Sequence, residues 1–111
     1  MVLKGSKMSE KNFNIPGEDI NKIVHEPARL KILIYLSLVE NCDFVYLMYQ
    51  TKLSKGNLSS HLSKLESAGY VSINKEFVEK IPRTLMTITD NGRQALMRYK
   101  KNIMVLLETI E

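Results

Sequence analysis

Residues 54–71 read SKGNLSSHLSKLESAGYV. Ser54 is a good N-cap, because its side-chain oxygen can accept from backbone N–H groups that the first helical turn leaves unpaired. Leu58, Leu62 and Leu65 then recur at helical spacing, and Gly69 closes the segment as a residue just past the helix end. The pattern predicts a helix of about 14 residues, about 21 Å long, with one leucine face. Its other face is short and polar: Asn57, Ser59, Ser60, Ser63 and Ser67, with Lys55, Lys64 and His61 at the margins. A helix that needed only solubility would be better served by Glu and Lys in i,i+4 pairs, since serine is a mediocre helix former. Short hydrogen-bonding side chains let a helix backbone approach another surface closely. The DNA major groove is such a surface: serine and asparagine meet base edges or phosphates, and lysine neutralises phosphate. An ordinary solvated face explains this helix alone equally well, so the rest of the chain decides.

The 111 residues suggest one domain, and 44% hydrophobic content suffices for a core, built mainly from Leu, Ile, Val and Met because Trp is absent. A formal net charge of +4 fits a nucleic-acid partner without demanding one. A single cysteine, Cys42, excludes an internal disulfide framework and suits a reducing compartment. No apolar run approaches the roughly 18–20 residues of a membrane span, and the N-terminal lysines precede no apolar signal segment. The expectation is a soluble, cytoplasmic protein with no membrane partner.

Residues 1–14 read as a polar, lysine-rich, flexible arm, and residues 15–111 as the domain. Pro16-Gly17 is a turn, after which Glu18, Asp19, Ile20, Ile23 and Val24 suggest a short helix ending near His25. Pro27 opens a second helix, with Leu30, Leu33, Ile34 and residues 36–39 inside, Arg29 and Lys31 outside, and a stop near Glu40-Asn41. Residues 41–43 read as a break. Phe44, Leu47 and Met48 give a third helix, and Thr51-Lys52-Leu53 turns the chain into the Ser54 helix. This is a helix-turn-helix order. Beyond Gly69 the period changes. Tyr70, Val71, Ile73, Phe77 and Val78 predict one strand and residues 84–89 a second, across a charged connection NKEFVEKIPR. Two such strands after the polar-faced helix make a wing. Thr89 or Asp90 then caps a last helix of about 20 residues, in which Leu96, Tyr99, Ile103, Leu106 and Ile110 form a heptad-like seam.

The order α-α-α-α-β-β-α resembles the winged helix-turn-helix transcriptional regulators of the MarR/ArsR type, a mainly α fold with a small β-wing (α+β) and a long C-terminal dimerisation helix. Four pieces carry the likeness: HEPARLKIL at 25–33, LSKGNLSSHLSKLESAGYV at 53–71, IPRTLMTITDNGR at 81–93, and the C-terminal stripe. The resemblance implies a sequence-specific regulator acting as a homodimer on a pseudo-palindromic DNA duplex. Helix 54–68 would enter the major groove and wing 74–83 would reach the adjacent minor groove. It implies that Lys55, Gly56, Asn57, Ser59, Ser60 and Ser63 face the groove, Lys64 reaches a flanking phosphate, and Lys80 and Arg83 act in the wing. Glu76 and Glu79 are an acidic departure there. The two-fold interface would take Leu96, Tyr99, Ile103, Leu106 and Ile110, with Ile20 and Ile23 beside them.

His61 borders the leucine face and reads as structural more readily than as a base reader. One cysteine and two histidines do not make a metal site, so no metal or other cofactor is expected; Cys42 as an oxidant sensor stays open. No phosphate-binding glycine loop, nucleophile elbow or zinc-protease motif points to catalysis, and Ser60 and His61 diverge as helix neighbours. The chain is therefore read as a non-enzyme, and a small-molecule effector is not indicated. The rival reading is a winged helix that binds proteins and has no DNA affinity of its own, which the modest charge and the acidic wing keep open.

Overall fold

The computed structural model describes residues 19–111. The arm at 1–14 and the turn at Pro16-Gly17 lie outside them. Four helices and a three-stranded antiparallel sheet follow in the order α1 (Pro27–Ser37), β1 (Cys42–Asp43), α2 (Phe44–Thr51), α3 (Lys55–Ser67), β2 (Val71–Val78), β3 (Ile81–Ile88) and α4 (Asp90–Leu107). The sheet order is β1-β3-β2. This is a winged-helix α+β architecture.

Each helix end has a local cause. Glu26, in extended backbone, accepts from the Arg29 N–H at 2.8 Å and leads into Pro27, whose missing N–H costs nothing in a first turn. The helix α2 stops where Lys52 adopts φ 58° and donates its N–H to the Met48 carbonyl. Ser54 caps α3 through the Asn57 N–H, as its position predicts. Gly69, at φ 81°, and Tyr70 return their N–H groups to the Glu66 and Leu65 carbonyls, so the α3 terminus is closed in the left-handed conformation that glycine tolerates. Thr89 caps α4. Its hydroxyl accepts from the Gly92 N–H at 3.0 Å and donates to the Gly69 carbonyl at 2.6 Å, while its own N–H donates to the Tyr70 carbonyl at 2.9 Å. One residue thus joins the end of α3 to the start of α4.

Ile32, Leu33 and Leu36 of α1, Leu47 of α2 and Leu58, Leu62 and Leu65 of α3 meet Val71, Met86 and Ile88 of the sheet in one core. The three α3 leucines are the face that their spacing predicts.

Four expectations change. The predicted helix at 18–25 is, over its described part, a turn. Asn21 Oδ1 accepts from the Ile23 and Val24 N–H groups at 2.9 and 3.2 Å, and a side chain that competes for backbone donors blocks helix propagation. α1 ends at Ser37, whose hydroxyl donates to the Ile34 carbonyl, and Leu38 is exposed. The break at 41–43 contains β1, which pairs Cys42 with Met86 and Asp43 with Leu85; two residues are too few to show a period. β2 runs to Val78 as its residues predict, but β3 begins at Ile81, ahead of the predicted 84, and the two close through Glu79 and Lys80 at φ 53° and 68°. The charged connection is thus mostly strand. Both faces of an outlying hairpin are solvated, so the apolar alternation that marks a half-buried strand is missing.

Candidate nucleic-acid interface

The polar face of α3 is unencumbered. Lys55, Gly56, Asn57, Ser59, Ser60, Ser63 and Lys64 are all exposed, and a Cβ added at Gly56 would meet nothing within 4 Å. A helical glycine costs roughly 0.5–1 kcal/mol relative to alanine, and nothing inside this fold requires one at 56. The space over the first turn of α3 is open to another molecule's close approach.

His61 is held from behind. Arg29 Nη1 and His61 Nδ1 stand 3.2 Å apart, within hydrogen-bond distance. Glu26 Oε1 stands 3.9 Å from the same nitrogen. Burial raises the Glu26 carboxyl pKa, but the Arg29 N–H bond and His61, followed by the Ala28 N–H and the Arg29 charge, outweigh it and leave the group below its ordinary value. Arg29 was expected outside and is buried at 9% exposure. Its Nε donates to the Ile23 carbonyl at 2.7 Å, which supplies the oxygen partner a buried guanidinium needs. A charged residue inside breaks the polarity rule that placed it outside; only its carbonyl partners, set by the Asn21 turn, make the site tolerable.

In the wing, successive side chains alternate between faces. Val71 and Ile73 face the core, which puts Lys75 and Phe77 on the α3 side. Their cross-strand neighbours are Thr84 and Pro82. Lys55, Ser59, Ser63 and Glu66 of α3 and Lys75 and Thr84 of the wing line one cleft, floored by Leu62 and Met86. Lys75 and Thr84 were missed in the sequence, although continuing the alternation from Val71 would have placed Lys75 there. Arg83 lies on the opposite sheet face, paired with Glu76 across the strands and 3.5 Å from Asp43 Oδ2 through Nη1. Lys80 and Glu79 form the tip turn. Of the wing cations, the structure therefore brings Lys75, and not Arg83, into line with α3.

The seam along α4 divides. Tyr99 is 9% exposed, and its hydroxyl meets His25 Nδ1 at 2.8 Å. Ile20, Ile23, Leu96 and Ile103 pack against the chain's own core. Asn21 Nδ2 donates to the Tyr70 hydroxyl at 2.8 Å and fixes the same corner. The exposed apolar side chains of α4 are Met97, Met104, Val105 and Leu107, with Ile110 just beyond and Leu106 half-buried. A seam read from spacing alone could not separate residues facing their own domain from those left outside.

Cys42 is buried at 4% exposure, and burial, then the neighbouring Asp43, pushes its thiol pKa up. Both effects disfavour the reactive thiolate. In the native protein Cys42 is expected to react with an aromatic disulfide reagent at least about 100-fold more slowly than in urea; a native rate matching the unfolded rate would show the site to be open. Among the described residues no group of three or more His, Cys, Asp or Glu side chains could hold a metal ion, and no helix is long and apolar enough to cross a membrane.

Residues 28–107 match the family model of the winged helix DNA-binding domain. An uncharacterized protein of Methanocaldococcus jannaschii is 39% identical over 90 residues, covering 81% of this chain and 98% of the relative. The structure of a transcriptional regulator homologue protein from Pyrococcus horikoshii superposes with a TM-score of 0.75 at 30% identity, over 80% of this chain and 88% of that one. A mutant MarR from E. coli complexed with operator DNA shares the fold, with a TM-score of 0.61 and 21% identity over 68% of this chain and 54% of that one.

Proposed function

This chain belongs to the winged-helix DNA-binding domain family, and from that premise we propose that it is a transcriptional regulator that binds duplex DNA as a homodimer. The observation that carries this reading is the exposed face of α3. It holds short polar side chains, two lysines, one acid at Glu66 and a glycine with open space above it. Asn57, Ser59, Ser60 and Ser63 read base edges in the major groove, while Lys55, Lys64 and Lys75 meet the phosphates that flank it. Lys80 and Arg83 reach the neighbouring minor groove from the wing. Two copies joined along α4 place two such helices one helical turn, about 34 Å, apart on a pseudo-palindromic site. The pairing surface is the exposed part of α4: Met97, Met104, Val105 and Leu107, continued by Leu106 and Ile110.

A specific observation keeps a second reading in view. Arg83 is tied to Asp43, and Glu76 and Glu79 flank the wing, which suits a winged helix that docks on a protein. Selection of random duplex DNA by the purified protein, followed by a salt series on the enriched duplex, separates the two. Enrichment of an inverted repeat with a steep salt slope supports the regulator; no retention at low salt favours the protein-binding module.

Two substitutions resolve the roles. Arg83→Ala is expected to weaken binding to all sequences several-fold and to reduce the salt slope by about one. Asn57→Ala is expected to change which base is preferred at one position of each half-site, at about 1–3 kcal/mol per position. Unchanged affinity and slope for Arg83→Ala in moderate salt would remove Arg83 from the interface and leave Lys75 as the wing's phosphate contact.

A further inference from the structure

We propose that the wing tip is an apolar wedge that enters the minor groove beside the recognition helix and selects base steps that unstack easily. This rests on the DNA-binding reading above and adds a determinant that α3 does not supply. The tip carries Phe77, Val78, Ile81 and Pro82. Phe77 is 76% exposed, Ile81 53% and Val78 41%. Scattered exposed apolar residues are ordinary; four at the end of one hairpin are not scattered. Their placement argues more than their number. Phe77 pairs with Pro82 on the α3 side of the sheet, and Val78 pairs with Ile81 on the other side. The tip is apolar on both faces. A hairpin that lay flat on a partner would need one apolar face, whereas one that enters a slit is contacted on both.

The reach fits a groove next to α3. The last strand pairs anchored to the body by β1 are at Leu85 and Met86. From Leu85, the nearer of these to the tip, to Ile81 the strand spans about 14 Å. That is most of half a helical turn, about 17 Å, the distance from the centre of a major groove to the adjoining minor groove. The charges suit an anionic lip. Lys75 stands on the α3 side below Phe77, Lys80 is in the turn, and Arg83 is on the far face. Against them stand Glu79 in the turn and Glu76 opposite Arg83, which is itself near Asp43. The cation nearest to Phe77 on the DNA-facing side, Lys75, has Thr84 as its cross-strand partner, and Glu66 of α3 is the acid that lines the same cleft. β2 and β3 pair without interruption to a turn of two residues, so the tip is held in register up to its end. An inserted apolar side chain partly unstacks a base step, and pyrimidine–purine steps yield most readily.

The test uses the full chain and duplexes enriched by the selection described above. These are remade with either a TA step or an A-tract under the wing, with 2-aminopurine beside the step to report unstacking. Wild type is expected to favour the TA flank by about tenfold and to brighten the 2-aminopurine on binding. Phe77→Ala is expected to lose both effects while keeping its preference for the bases under α3, and Phe77→Leu to retain most of both. Phe77 is exposed, so neither variant disturbs the core. Equal flank discrimination by wild type and Phe77→Ala, or no brightening with wild type, overturns the wedge and leaves the regulator reading standing. No duplex binding by wild type at low salt overturns both.

Discussion

Gly92→Ala is expected to remove about 3 kcal/mol or more of stability, with a fall of roughly 12 °C or more in Tm for a domain of this size. A Cβ at Gly92 would overlap the Tyr70 carbonyl oxygen and stand 2.9 Å from Ile88 Cγ1. The neighbour that must move is backbone, and it is already committed. The Tyr70 carbonyl accepts from the Thr89 N–H, and the Gly92 N–H donates to the Thr89 hydroxyl. Making room therefore breaks the α4 cap or tears the end of α3 from the start of α4. Urea unfolding followed by circular dichroism gives the loss directly. Gly56→Ala is the control. It meets open space, so it should hold or raise stability by about 0.5–1 kcal/mol. A Gly92→Ala protein within about 1 kcal/mol of wild type would mean that α4 can start elsewhere.

Met104→Glu is expected to separate the proposed dimer and to weaken binding to an inverted repeat by about 100-fold or more. Met104 is half exposed in the protomer, so a carboxylate there costs the isolated fold little. Against a second copy of the same stripe it would bury two like charges. Joining two half-site readers gains about two to four orders of magnitude in affinity, and separating them loses it. Sedimentation should show a monomer, thermal melting should show a folded protein, and affinity for a single half-site should be unchanged. A variant that sediments as a dimer with wild-type affinity would move the interface away from the α4 stripe.

Much of this architecture was legible in the sequence because it rests on local physics. Ser54, the leucine triplet and Gly69 fix α3 with neighbours no more than a turn away, and Thr89 does the same for α4. The polar face of α3 followed from those leucines, since fixing one side of a helix fixes the other. What escaped reading depends on distant partners. β1 exists only because β3 passes beside it. Arg29 is inside only because the Ile23 carbonyl is there to receive it. The inner and outer sides of α4 separate only once the core has claimed Tyr99 and Ile103. The extent of the wing was obscured for a different reason: its strands are solvated on both faces, so the rule that detects a half-buried strand had nothing to detect. Lys75 was passed over with it.

The hydroxyl of Thr89 leaves no slack between α3 and α4, and in a dimer paired along α4 this acts as a gear. α4 spans about 27 Å at 1.5 Å per residue, so a change of about 10° in the angle at which two copies cross would displace one reading head relative to the other by about 5 Å at that radius. A shift of that size exceeds the spacing of one base pair. Any contact that alters how the two long helices cross, even one far from the reading heads, would change the operator spacing at which both can engage. Control of such a protein needs no cavity within the domain, because the joint itself converts angle into register.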